Sequence, residues 1–311
     1  MRNEKFKMKN FRANTVVSVL LFAFFILHFS YASGQAGRRQ RQTGEGATTL
    51  NVIATREGDS TEAITMSQVT LYENGVEQTV KSFVADPSPS RIVLLVDNSL
   101  TLRADVDRLE AAAREFAYEI FEGDKLLVVG YDNDAGIVAD WTDDAKKLEA
   151  SLKAFRKQGE PHLFDALNAV ANEALLPLAA TSTKRVIVVI SDGLDRGSKT
   201  KFEETLNALQ AQDITVYLLQ APDRTGGALR RDQPKPTQVI EKLAEGTGGR
   251  VFPVNEPRTA AAAICDELRK NRYILSYFPS NASYLEARRL LIVTDNGINV
   301  RSKTFQPPAV K

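Results

Sequence analysis

Two short runs, Ile92-Val93-Leu94-Leu95-Val96 and Val186-Ile187-Val188-Val189-Ile190, are apolar at every position. A strand sends successive side chains to opposite faces, so a run without polar alternation has to be covered on both faces. Runs of this length suit strands rather than helices. They therefore predict central strands of a sheet with a layer packed on each side.

The intervening segments supply those layers. Helical spacing appears in Leu109, Ala113, Phe116 and Ile120, in Leu148, Leu152 and Phe155, and in Leu163, Leu167 and Val170. It recurs in Phe202, Leu206 and Leu209, in Val239 and Leu243, a helix expected to be closed by Gly246, and in Ile264 to Leu268. Further strands are expected at Lys125–Tyr131, Ile137–Ala139, Ile214–Leu219 and Val251–Val254. Strands alternating with amphipathic helices imply an α/β fold, with a doubly wound, mostly parallel sheet and helices on both faces. We assign residues 91–270 to this domain.

The flanks read differently. In 48–85, Val69 and Leu71 alternate with polar positions, and Asn74-Gly75 is a strong hairpin signal. In 271–306, strands are expected at Tyr273–Phe278, Arg288–Thr294 and Asn299–Thr304, with a turn at Asp295-Asn296-Gly297. The 48–85 segment is too slight for an independent core by itself and is expected to pack on the main domain; the two flanks are expected to pair as a small β domain. Asp86-Pro87-Ser88-Pro89-Ser90 reads as a linker. The stretch 221–238, with Gly226-Gly227, three prolines, Arg224, Arg230, Arg231 and Lys235, reads first as a disordered loop.

The N-terminus opens with Arg2, Lys5, Lys7, Lys9 and Arg12, then an apolar run Val16–Phe29, then Ser30, Ala32, Ser33, Gly34 and Ala36. That order is a secretory signal layout, and the run is short for a membrane span. Residues 1–36 are expected to be a signal peptide, cleaved after Ala32 or Ala36, and 37–47 a solvated linker. Contact with a membrane is expected only if the signal is retained. Without residues 1–36 the formal charge of +1 becomes −3, which gives no footing for nucleic-acid binding. The one cysteine, Cys265, precludes an internal disulfide and is expected to be a buried small apolar residue. The exported destination is the periplasm, the cell surface or the medium, and the oligomeric state is left open. Asn281-Ala282-Ser283 fits a glycosylation sequon that is expected to be idle.

Open parallel sheets place ligands at the carboxyl ends of their strands. Asp97 ends one apolar strand and starts Asp97-Asn98-Ser99-Leu100-Thr101, and Asp192 follows the other. If these strands are neighbours, Asp97, Ser99, Thr101 and Asp192 form an all-oxygen site. Such a set suits Mg²⁺ and leaves coordination positions for a carboxylate of a protein partner. The alternative is that both aspartates simply cap loops and helices.

The Asp-x-Ser-x-Thr run resembles the metal-ion-dependent adhesion site of von Willebrand factor A domains. Ser191-Asp192-Gly193-Leu194-Asp195 is similar to that family's second aspartate loop, and Leu163-Phe164-Asp165-Ala166-Leu167 to the helix after its threonine loop. The flanking runs Leu71–Gly75, Gly246–Phe252 and Tyr273–Tyr277 resemble a bacterial exported subgroup of VWFA-related proteins. The resemblance implies a binding module rather than an enzyme. It breaks at Pro161, which stands where the family usually has a ligand threonine. Asp165 and Asp195 are expected to be structural. His162 is expected to face solvent, with replacement of the lost ligand as a weaker reading.

Two further readings stand beside the binding module. One is a degenerate, metal-free scaffold, which Pro161 favours. The other is a hydrolase using His162, disfavoured because no dinucleotide-binding turn, P-loop or nucleophile elbow is present.

Overall fold

The computed structural model describes residues 47–58, 62–104, 106–153, 155–178, 183–225, 234–280 and 286–308. The signal segment 1–36, all of the 37–47 linker except Ala47, and the Asn281 sequon lie outside the described residues. Residues 47–311 make one compact unit.

The chain starts with β1 (Thr48–Arg56), β2 (Val69–Glu73), β3 (Val76–Gln78) and β4 (Val80–Ala85). The α/β region follows: β5 (Ser90–Asp97), α1 (Val106–Glu119), β6 (Lys125–Tyr131), β7 (Ala135–Thr142), α2 (Ala145–Leu152) and α3 (Leu163–Ala169). A π-helical stretch, Val170–Leu175, extends α3. Then come β8 (Lys184–Ser191), α4 (Phe202–Ala211), β9 (Thr215–Gln220), α5 (Pro236–Thr247), β10 (Val251–Pro253) and α6 (Pro257–Lys270). The chain closes with β11 (Arg272–Tyr277), β12 (Arg288–Thr294), β13 (Ile298–Ser302) and β14 (Phe305–Gln306).

The central sheet has the order β10-β9-β8-β5-β6-β7. All its pairings are parallel except β6 with the edge strand β7. The apolar runs behave as the pleat requires. Ile92, Leu94 and Val96 enter one core layer with Leu109, Phe116 and Ile264 from α1 and α6. Val93 and Leu95 enter the other with Leu167, Leu209 and Leu243 from α3, α4 and α5. Burying one such side chain is worth about 1.5–3 kcal/mol, so this sandwich fixes which strand ends lie side by side. Cys265 is buried in the first layer.

The flanks form two antiparallel sheets, β13-β1-β11-β4 and β14-β12-β2-β3. The N-terminal and C-terminal segments interleave as expected. Together they enclose a core of their own, with Leu50, Val52, Leu71, Phe83, Leu275, Tyr277 and Leu290. They also dock on the α/β region. Lys303 Nζ donates to Gln210 O at 3.0 Å and pairs with Asp213, and Arg301 pairs with Glu267.

Three local expectations need correction. The 86–90 segment is a fixed joint rather than a free linker: Asp86 is buried and accepts from Ser88 N at 2.9 Å, and Lys184 lies 4.0 Å from it. The helix after β9 ends at Gly248 in a left-handed conformation, not at Gly246. Within 221–238, Ala221–Thr225 is ordered and α5 already begins at Pro236. Residues 226–233 lie outside the described set.

Candidate functional site

Because β5 and β8 are parallel neighbours, their carboxyl ends share one rim of the sheet. Asp97 is the last residue of β5 and Asp192 follows the last residue of β8. Both are fully buried, as is Ser99, whereas Thr101 is exposed. The loop after β5 folds on its own aspartate, whose Oδ1 accepts from Ser99 N at 2.9 Å and from Ser99 Oγ at 2.5 Å. The segment 156–159 braces this loop: Gln158 N donates to Asn98 O at 2.9 Å and Leu100 N to Gly159 O at 3.2 Å.

The loop after β8 turns just as tightly. Leu194 N donates to Asp192 Oδ1 at 3.1 Å, and Gly193 N to Ser191 Oγ at 3.1 Å. Gly193 has φ +83°, and a Cβ there would lie 2.3 Å from Pro236 O, so the first turn of α5 can approach only a glycine. Ser191 Oγ also donates to Asp97 Oδ2 at 3.3 Å and accepts from Tyr131 OH at 2.9 Å.

The centre that these oxygens surround is filled by the guanidinium of Arg224, from the loop after β9. Nε donates to Asp192 Oδ2 at 2.6 Å, and Nη1 to Ser99 Oγ at 2.8 Å and to Thr101 Oγ1 at 2.7 Å. Nη2 donates to Asp192 Oδ1 at 2.8 Å and to Asp97 Oδ2. The backbone N of Arg224 adds a bond to Asp192 Oδ2 at 3.1 Å. A guanidinium has five N–H groups, and each has an acceptor here. Burial pushes the Asp97 carboxyl above its ordinary value against the pull of Arg224 and Ser99. Burial also works against the Arg224 charge, but Asp192 and Asp97 outweigh it and bind its proton more firmly than usual. Burial, reinforced by Asp97, raises Tyr131 as well and keeps it a hydrogen-bond donor.

The four residues singled out in the sequence, Asp97, Ser99, Thr101 and Asp192, are thus brought together. As donors they have the hardness Mg²⁺ needs. As arranged they do not fit a metal, because a divalent ion and the guanidinium would occupy the same centre. Among the described residues no three His, Cys, Asp or Glu side chains gather as a metal cluster.

Pro161 is buried and contributes its carbonyl to Arg196 N at 2.7 Å, with no side-chain oxygen for the rim. His162 does not face open solvent: it is half-buried, with Nε2 close against Gly197. Asp165 accepts from Lys199 N and Thr200 N, both at 2.9 Å, and Asp195 from Phe164 N at 3.1 Å, which makes both structural.

The residue the sequence reading missed is Arg224, taken there as part of a disordered loop. A signal existed. Two carboxylates at buried strand ends need a compensating cation, and Arg224 is the first basic residue after the neighbouring strand β9.

No curated protein sequence matches the chain. Among solved structures, it is similar to an aerotolerance-related membrane protein from Bacteroides fragilis at 19% identity and TM-score 0.44, covering 58% of this chain and 99% of that one. It is similar to BatB, a conserved hypothetical protein from Bacteroides thetaiotaomicron, at 20% identity and TM-score 0.44, covering 58% and 98%. It is also similar to proximal thread matrix protein 1 from the mussel byssus at 13% identity and TM-score 0.47, covering 60% and 50%. Residues 92–194, from β5 to the Asp192 loop, match the family model of the von Willebrand factor type A domain. The region so matched is set between two flanks that make a β domain of their own.

Proposed function

We propose that this chain is an exported, non-catalytic module that docks a protein partner on the rim at the carboxyl ends of β5 and β8. The supporting observation is Leu100, an apolar side chain that is 64% exposed on the rim where Asp97, Ser99, Thr101 and Asp192 converge. An exposed leucine on a loop braced at both ends gives a partner an apolar contact at low ordering cost. Catalysis has little to work with at this rim. The hydroxyls of Ser99 and Thr101 are committed to Arg224, and His162 packs on Gly197. The metal-free reading fits the filled centre better than a Mg²⁺-bridged one.

Site-specific photo-crosslinking tests the docking face. A photoreactive residue replacing Leu100 should give a discrete adduct in envelope extracts, and one replacing Glu122, exposed at the opposite end of the sheet, should not. Equal adducts from both positions, or none from position 100, would remove the assignment.

Export rests on the order of basic, apolar and small residues in 1–36. Among the described residues no helix is long and apolar enough to cross a membrane. Mass spectrometry of the chain recovered from its native cells should show a mature N-terminus following Ala32 or Ala36. An intact Met1 terminus in the cytosolic fraction would contradict export.

A further inference from the structure

We infer that Arg224 is the built-in cation of this rim: its guanidinium holds the place of a divalent ion, excludes metal, and ties the loop after β9 to the loops after β5 and β8. The inference goes beyond the docking reading and would stand even if no partner touched this rim.

The acceptor geometry carries it. Asp192 presents both oxygens to Arg224, one to Nε and one to Nη2, which is the two-pronged fit of a planar fork. Asp97 Oδ2 meets the other N–H of Nη2, while Ser99 and Thr101 take the two N–H groups of Nη1. A spherical ion would use the same oxygens but could not also keep the loop closed. The guanidinium has only 4% of its side chain exposed, so it seals the two carboxylates from water as it neutralises them. Pro161 agrees with this arrangement, because a fork that is already satisfied has no use for a further hydroxyl. With all five N–H groups engaged, no open position remains for an acidic group of a partner. A partner would instead meet the exposed groups around the plug, such as Leu100.

Three measurements on the full chain, freed of its signal segment if that is cleaved, test the inference. In the first, electron paramagnetic resonance of Mn²⁺ added to the native protein should remain that of the free ion, and Mg²⁺ should leave Tm unchanged. In the second, Arg224→Ala should lower Tm, and methylguanidinium at about ten times its Kd should restore about 3 °C. Methylammonium, a charge without the fork, should restore less. In the third, Arg224→Lys should fall between native and Arg224→Ala in Tm; it also keeps the rim testable if the alanine variant does not fold. Stoichiometric Mn²⁺ binding by the native chain that disappears in Asp192→Asn would overturn the inference. So would equal rescue of Arg224→Ala by the two amines. Neither result bears on whether position 100 crosslinks, so the two readings fail separately.

Discussion

Among the described residues, two carboxylate–guanidinium clusters with both partners buried, Glu73–Arg288 and Asp97–Asp192–Arg224, are built in opposite ways. In the β domain, Glu73 of β2 receives Arg288 Nη1 at 3.0 and 3.2 Å and the hydroxyl of Tyr277. Its members come from strands, and the register Glu73↔Leu290 puts Arg288 on the same face, diagonally across from Glu73. On the α/β rim, Asp97, Asp192 and Arg224 come from three loops, and no register relates them. Among the described residues Arg288 Nε has no partner, whereas Arg224 has every N–H engaged. The first cluster staples the two ends of the chain together within packed sheets. The second closes a rim that becomes open once its arginine leaves. A satisfied fork at an open edge is the arrangement expected of a plug, and a half-satisfied one inside a sandwich is that of a staple.

This contrast can be broken by measurement. Glu73→Gln strands the Arg288 charge inside the sandwich, and an unpartnered buried charge costs about 3–5 kcal/mol. The expected result is a large drop in the denaturant midpoint with an unchanged slope. Arg224→Ala should cost less, about 1–3 kcal/mol, because water reaches the two carboxylates once the side chain is gone. A larger loss at the rim than in the sandwich would reverse the distinction between plug and staple.

The smallest effect sharpens the picture of how rim loops are held. Asp165, on α3, accepts from Lys199 N, Thr200 N and Thr200 Oγ1 at 2.9, 2.9 and 2.7 Å. Burial alone would raise its carboxyl, but these three donors outweigh it and hold it below the usual aspartate range. A lowered carboxyl adds stability above its ordinary range and loses it as pH falls through the native value. Asp165→Asn should therefore cost about 1 kcal/mol near neutrality, the low end for a half-exposed group. The gap from native should close below about pH 4. A gap that persisted unchanged into acid would mean that the ionised carboxylate is not what holds the 198–200 loop.

Much of the architecture could be read directly. The uninterrupted apolar runs of β5 and β8, the helical spacing from Leu109 onward and the Asn74-Gly75 turn all report on near neighbours in the chain. The bond from Ser99 N to Asp97 at 2.9 Å is local too, though Ser99 was expected as a ligand beside Asp97 rather than as its donor. Other features turned on distant contacts. The Asp86–Ser90 segment has linker composition, yet Lys184 from β8 fixes it. His162 has the sequence surroundings of an exposed residue, yet Gly197 leaves room for its ring to pack.

By itself the sequence determined the parallel sheet, its helical layers and the β flanks, and it placed Asp97, Ser99, Thr101 and Asp192 at one rim on the condition that their two strands are neighbours, which the β5–β8 pairing meets. Burial periodicity and strand-end chemistry are local properties, and packing forces the strands into order. Only the tertiary structure decided what neutralises the two aspartates. That choice depends on which cation lies within reach once three separate loops have folded, and no spacing in the chain records that Arg224, 32 residues beyond Asp192, ends up against it.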